Sequence, residues 1–152
     1  MSDFRRFAHR YRKLMAGLEQ AAEREYKQAA DAEVRVRNTW YEIAETMEDV
    51  RRQQCASIFR SGDYREWELF DAHGQWLQMR LTAAEREWRQ AVKDMEQQRQ
   101  YLHDRYTATQ TWVQLSDAAD WEHRVDVEKR EQVDMDELAL QRYRKAADDT
   151  WR

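Results

Sequence analysis

The stretch WELFDAHGQWLQMRLTAAEREWRQAVKDMEQQRQYLHDRYTATQTW, residues 67–112, decides the fold. Within it Trp67, Phe70, Gly74, Leu77, Leu81, Ala84, Trp88, Ala91, Met95, Gln98, Leu102, Arg105, Thr109 and Trp112 recur at alternating steps of three and four residues. A strand would repeat every two residues. A sustained three-four alternation is the seam of a coiled coil. Gln98, Arg105 and Thr109 are imperfect steps, and Tyr101 and Tyr106 stand beside them to fill in.

Upstream lies a second seam: Phe4, Phe7, Tyr11, Leu14, Leu18, Ala22, Tyr26, Ala29, Val36, Trp40, Ile43, Met47 and Val50. The steps from Leu14 to Tyr26 are all four residues, which relaxes left-handed supercoiling locally. Between the seams sits Ser61-Gly62-Asp63. Asp63 is placed to cap the next helix, and Glu66, three residues on, completes a capping box. The pattern predicts an all-α fold of one domain, residues 1–152. Helix 1 spans about 3–59, a turn 60–63, and helix 2 about 64–147; the pattern favours one continuous second helix, with a kink near Ser116-Asp117, which could cap a new helix, as the alternative. A short turn makes the helices antiparallel neighbours, so the expected architecture is a coiled-coil hairpin with the second helix longer. At ~1.5 Å per residue it is ~85 Å long, and about 30 residues of helix 2 run on without an intrachain partner. Trp40 then faces Ala84, Phe4 faces Asp120, and Gly74 on the seam permits close helix approach. A parallel dimer through exposed seam is compatible with the pattern.

Composition supports the same reading. The chain has no proline, three glycines and one cysteine among 152 residues. Folds with many turns use far more Gly and Pro. Proline inside either helix would cost ~3 kcal/mol or more. Seven Trp, seven Tyr and four Phe are too many aromatics for a disordered chain. Mean hydropathy is −1.14, and no run approaches the ~20 apolar residues of a membrane span. The basic start is not followed by the apolar core of a signal peptide. Cys55 alone cannot form an intrachain disulfide, which fits a reducing compartment.

The net charge of −4 argues against nucleic acid as the main partner, because duplex binding rests on phosphate neutralisation. Charge is uneven, however. Arg5, Arg6, Arg10, Arg12 and Lys13 face only Asp3 in the first 15 residues, whereas residues 117–137 hold nine acids and three bases. These two segments attract each other when the chain folds back.

Catalytic constellations are missing from the pattern. Gly17, Gly62 and Gly74 are too far apart for a phosphate loop. A di-iron bundle needs two Glu-x-x-His motifs and two further Glu; the nearest match is Asp120-x-x-His123, and its plainer reading is a solvated helix face. No His lies within a turn of Cys55 to activate it, so Cys55 reads as a small, partly buried side chain. Methionines 15, 47, 79, 95 and 135 read as core fillers. The basic segment with Phe4, Phe7 and Tyr11 reads as a packed stripe with basic flanks, ahead of a lipid anchor. Trp67, Trp76, Trp121 and Trp151, near the ends or off the seam, are candidates to meet partners.

The layout, a charged second helix that outruns the first, resembles the FliJ/YscO stalk proteins of type III export. The most specific match is Glu128-Lys129-Arg130-Glu131-Gln132-Val133-Asp134-Met135-Asp136-Glu137-Leu138-Ala139-Leu140-Gln141-Arg142. It is similar to the family's basic–polar stretch followed by Met/Leu-Asp-Glu-x-Ala-x-x-Arg. Trp112-x-x-Leu115 resembles the Trp/Leu pair before it, and Gly62 followed by Tyr64, Trp67 and Phe70 resembles the turn into the second helix. The resemblance implies a non-enzymatic central stalk without cofactors, similar to the paired central helices of the rotary ATPase γ subunit. It implies three partners: a hexameric export ATPase, an export gate membrane protein and, for some members, export chaperones. It implies a cytoplasmic position beside the inner-membrane export apparatus, with no membrane insertion. Carried over, the ATPase-facing residues are Arg5, Arg6, Arg10, Met135, Asp136, Glu137, Leu138 and Arg142. The gate-facing residues are Tyr64, Trp67, Phe70, Trp76 and Leu77. The family's second apolar docking position falls on Gly74, with Trp76 and Leu77 as substitutes. The Trp-rich helices lean to the injectisome (virulence) branch over the flagellar one. The alternatives are a generic coiled-coil adaptor or chaperone-like scaffold and, far behind, a ferritin-like metalloenzyme.

Overall fold

The computed structural model describes residues 2–151. Met1 and Arg152, the outer limits of the expected domain, lie outside the described residues. Helix α1 runs Ser2–Arg60 and helix α2 runs Tyr64–Thr150. The two pack against each other, and the second is longer, as the seams predict. α2 passes Ser116 as one helix. Packing gathers into two units: residues to Glu19 with those from Arg105 onward, and Gln20–Asp104.

The Gln20–Asp104 unit is a helical hairpin. Its hydrophobic cluster is Ile43, Met47, Val50, Leu77 and Ala84, with Trp40, Phe70 and Leu81 against it. All lie on the predicted seams. The turn rests on Gly62, whose φ of 62° lies in the left-handed region that glycine enters without steric cost. Asp63 caps α2 by accepting the Arg65 N–H at 3.0 Å. The expected reciprocal bond from the Asp63 N–H to Glu66 does not form. That N–H reaches the Ser61 hydroxyl at 3.5 Å, and Ser61 donates to Glu66 at 2.9 Å. Ser61 relays the box because it lies between the two groups.

Two further expectations for this unit are corrected. A Cβ on Gly74 would meet nothing within 4 Å, so Gly74 does not mediate close approach. The step between Ala29 and Val36 is filled by Glu33, a buried carboxylate. Trp88 Nε1 donates to it at 3.0 Å and Arg37 lies 3.6 Å away. A buried carboxylate is tolerated when it is paired and hydrogen-bonded. Trp40 and Trp88 pack over this site, ring centroids 5.5 Å apart.

The unit containing residues 2–19 packs differently from expectation. Phe4, Phe7 and Leu14 remain about half exposed, while Ala8 is wholly buried. Opposite, the packing line carries Thr109, Ser116 and Ala119. Small side chains bring the backbones together, and the Thr109 hydroxyl reaches the Met15 carbonyl at 3.3 Å. Phe7 and Tyr11 flank this line and pack against Trp112, Phe7 edge-on and Tyr11 tilted with its centroid 4.6 Å away. Aromatic pairs add ~0.5–1.5 kcal/mol beyond their buried area. Tyr101 and Tyr106 do not fill the seam; both are exposed, and Gln98 and Arg105 keep their places on it.

Gly17 and Gly74 both have open space around them. G17A and G74A are expected to raise stability by ~0.5–1 kcal/mol each, the helix cost of glycine. G62A is expected to lower it by ~1–2 kcal/mol, because alanine is strained in the left-handed region. Urea melts of the three variants check the opposite signs. E33A leaves the Trp88 N–H without its acceptor and is expected to cost ~1–3 kcal/mol, while E33Q keeps an acceptor and costs less in the same melts.

Candidate functional site

The basic start meets the acidic segment as the charge pattern predicts. Arg5 Nε donates to Asp120 Oδ1 at 2.6 Å, and His9 Nε2 lies 3.0 Å from the same oxygen. One turn on, Arg12 donates to the Ser116 hydroxyl at 3.2 Å and to Asp117 at 3.3 Å. The hydrogen bond from His9, and then that from Arg5, lower the Asp120 carboxyl to about 2 from the ordinary 3.8. Asp120 is thus held by His9 and Arg5, not paired with His123 as a ligand set. Among the described residues no three His, Cys, Asp or Glu side chains gather to hold a metal. Arg6 and Arg10 stay exposed and, with Arg5 and His9, border a shallow basic surface.

α1 covers α2 as far as Asp126, where Phe4, Ala119, Glu122 and His123 line a narrow cleft. Past Asp126, every residue of α2 except Ala147 is exposed. The predicted positions Met135, Asp136, Glu137, Leu138 and Arg142 all lie there, and Met135 is 67% exposed. Met135 therefore is no core filler. Leu140 and Tyr143, also exposed, were not among the predicted site residues.

In the other unit, the turn carries an aromatic surface. Tyr64 stacks on Trp67 with centroids 5.8 Å apart and an interplanar angle of 14°. Ile58, Gly62 and Asp63 complete a cleft with them. Trp76 is exposed, with the Arg80 guanidinium 5.0 Å over its ring. Phe70 is half-buried against the core, and Leu77 is only 3% exposed. Leu77 therefore lies under this surface and does not form it. Phe59, 92% exposed, and Leu69 belong to the surface instead. Their signal in the sequence was an apolar residue off the seam. Met79 and Cys55 are exposed too, against expectation. No described helix is long and apolar enough to cross a membrane.

Asp120 titrates lower folded than unfolded, so its grip on Arg5 and His9 is complete above about pH 4. It is lost as pH falls from there through about 2. Protease protection of residues 2–19 is expected to fall across that window. D120N is expected to abolish the acid step and to show weakened protection already at pH 7.

Against known proteins, the FliJ family model, described as the flagellar FliJ protein, matches residues 12–148. No curated protein and no solved structure matches. The match takes in both helices, the turn and most of the exposed stretch of α2. The chain belongs to the FliJ family, a component family of the flagellar and type III export apparatus.

Proposed function

We propose that this chain is a non-catalytic stalk that inserts into the hexameric ATPase of a type III export apparatus and links it to the export gate. The observation that carries the reading is the segment of α2 beyond Asp126. It is helical, exposed all round and bears the Met135–Arg142 signature, within the span that matches the family. A helix segment that buries almost nothing in its own chain leaves its surface open to a partner. Arg5, Arg6 and Arg10 lie in the same unit and contribute to the ATPase-facing surface. Mixed-sign charges meet a ring of like subunits through many weak pairs, each worth about 0–1 kcal/mol, so turning meets no deep energy trap.

The gate-facing surface is Tyr64, Trp67, Phe70 and Trp76, with Phe59 beside them and Leu77 supporting from beneath. Exposed aromatics of this kind anchor protein interfaces. Export chaperones are further partners, and the working position is cytoplasmic, beside the membrane-bound apparatus. The stalk reading applies to flagellar and injectisome (virulence) systems alike.

Mixing the protein with its cognate hexameric ATPase is expected to stimulate ATP hydrolysis. M135D and L138D are expected to weaken that stimulation at least about tenfold in affinity, a loss of about 1.4 kcal/mol. Both side chains are exposed, so the melting temperature is expected to hold. No binding and no stimulation by the intact chain would sink the reading. Full activity after removal of residues 128–152 would favour an adaptor or chaperone-like scaffold instead.

A further inference from the structure

Between Asp3 and Glu19 the only buried residue of α1 is Ala8. Phe4, Phe7 and Leu14 stay about half exposed, so lifting this segment from α2 returns little apolar area to water. Much of its hold is polar and sits at side-chain tips. Arg5 and His9 meet Asp120, Arg12 meets Ser116 and Asp117, and the Thr109 hydroxyl meets the Met15 carbonyl. Partly exposed ion pairs hold weakly. The packing of Phe7 and Tyr11 on Trp112 is the main apolar contact. The Gln20–Asp104 unit is held otherwise, by the cluster from Ile43 to Ala84 and by the buried Glu33–Trp88 bond.

Gly17 stands at the root of the weakly held segment. Nothing crowds it, so no neighbour requires a glycine there, yet glycine weakens the helical turn around it. Residues 2–16 alone are about as short as a marginal isolated helix, so detachment also frees their amides. Beneath them α2 is well covered: Ser116 is wholly buried, and Thr109 and Ala119 are buried too. α2 does not need that cover to stay helical, because it continues as helix past Asp126, where its residues are exposed.

We infer that residues 2–16 form a strap that lifts from α2 as one piece, with Gly17 as its hinge, while the Gln20–Asp104 unit stays packed. Lifting uncovers Thr109, Trp112, Ser116 and Ala119. The open stretch of α2 then starts at about Thr109 instead of beyond Asp126. A partner that follows α2 from its free end takes the place of the strap, so the two compete for one face. Parts of a fold with few buried apolar contacts open below the energy of global unfolding, and the strap is such a part. The inference goes beyond the stalk reading and does not depend on it.

Native-state hydrogen exchange of the full chain at neutral pH tests the strap. Amides of Arg6–Ala16 are expected to share one opening, with protection at least about a hundredfold below that of Gln20–Val50. E33A is expected to lower protection of Gln20–Val50 and to leave Arg6–Ala16 unchanged, because lifting the strap does not break the Glu33–Trp88 bond. D120N is expected to lower protection of Arg6–Ala16 about threefold or more, and G17A to raise it about two- to fivefold. A thiol probe reads the uncovered face directly. In a chain with exposed Cys55 replaced by serine, S116C is expected to react at a rate that rises with D120N and ignores E33A. Two results in the parent chain alone overturn the inference: protection of Arg6–Ala16 equal to that of Gln20–Val50, or protection that climbs steadily from Arg6 to Ala16, as simple end fraying gives. An equal response of both segments to E33A overturns it as well, since the segments then open only together.

Discussion

Two helices without a third layer can wholly bury only what is small. The largest fully buried side chains in this protein are Ser57 and Ser116, and the most buried apolar residues are Ala8 and Ala22. Everything else in the structure follows from that constraint. Large side chains flank the contact line and shield it from one side, as Phe7, Tyr11 and Trp112 do. Polar groups can then sit on the line, because their partners are close. Ser116 donates back to the Val113 carbonyl at 2.9 Å, and Glu33 accepts the Trp88 indole N–H. Stability is spread thinly along the seam, with ~25 cal/mol for each Å² of apolar area removed from water.

The same constraint explains what the sequence disclosed. The seams from Tyr26 to Val50 and from Trp67 to Trp112 were legible, because three-four spacing and apolar character coincide there. So was the turn, since Gly62 is a lone glycine in a polar cluster and adopts a positive φ. The meeting of Arg5 with Asp120 followed from counting residues back from that turn. The packing at residues 2–19 was not legible. Apolar weight favours Phe4, Phe7 and Leu14 over Ala8, yet close approach favours alanine. Hydrophobicity and closeness select different faces, and only three-dimensional packing decides between them. Gly74 misled in the converse way: a glycine on a seam looks like room for a neighbour, but the neighbour here is more than 4 Å from its Cβ position.

The candidate surfaces divide along the same line. Exposure of Met135, Leu138 and Arg142 was readable, because nothing in the chain is left to cover that part of α2. The turn surface was readable only in part. Leu77 and Phe70 obey the seam spacing, and a residue on the seam is drawn to the core, which is where Leu77 lies. Phe59 and Leu69 break the spacing, and their exposure is the consequence. For a two-helix protein, an apolar residue off the seam is therefore a better guide to a partner surface than one on it.

The free part of α2 raises the question of what keeps it helical. Its burial is negligible, so local terms must suffice. The segment from Val127 to Thr150 holds no glycine and no proline, and Ala, Leu, Glu, Gln, Lys and Arg make up much of it. These are the strongest helix formers. Continuation from the packed helix also spares it the cost of nucleation, which is the main barrier to an isolated helix. A helix held by propensity rather than packing keeps every face open at once. That freedom is what a single helix must have if it is to meet more than one neighbour without refolding.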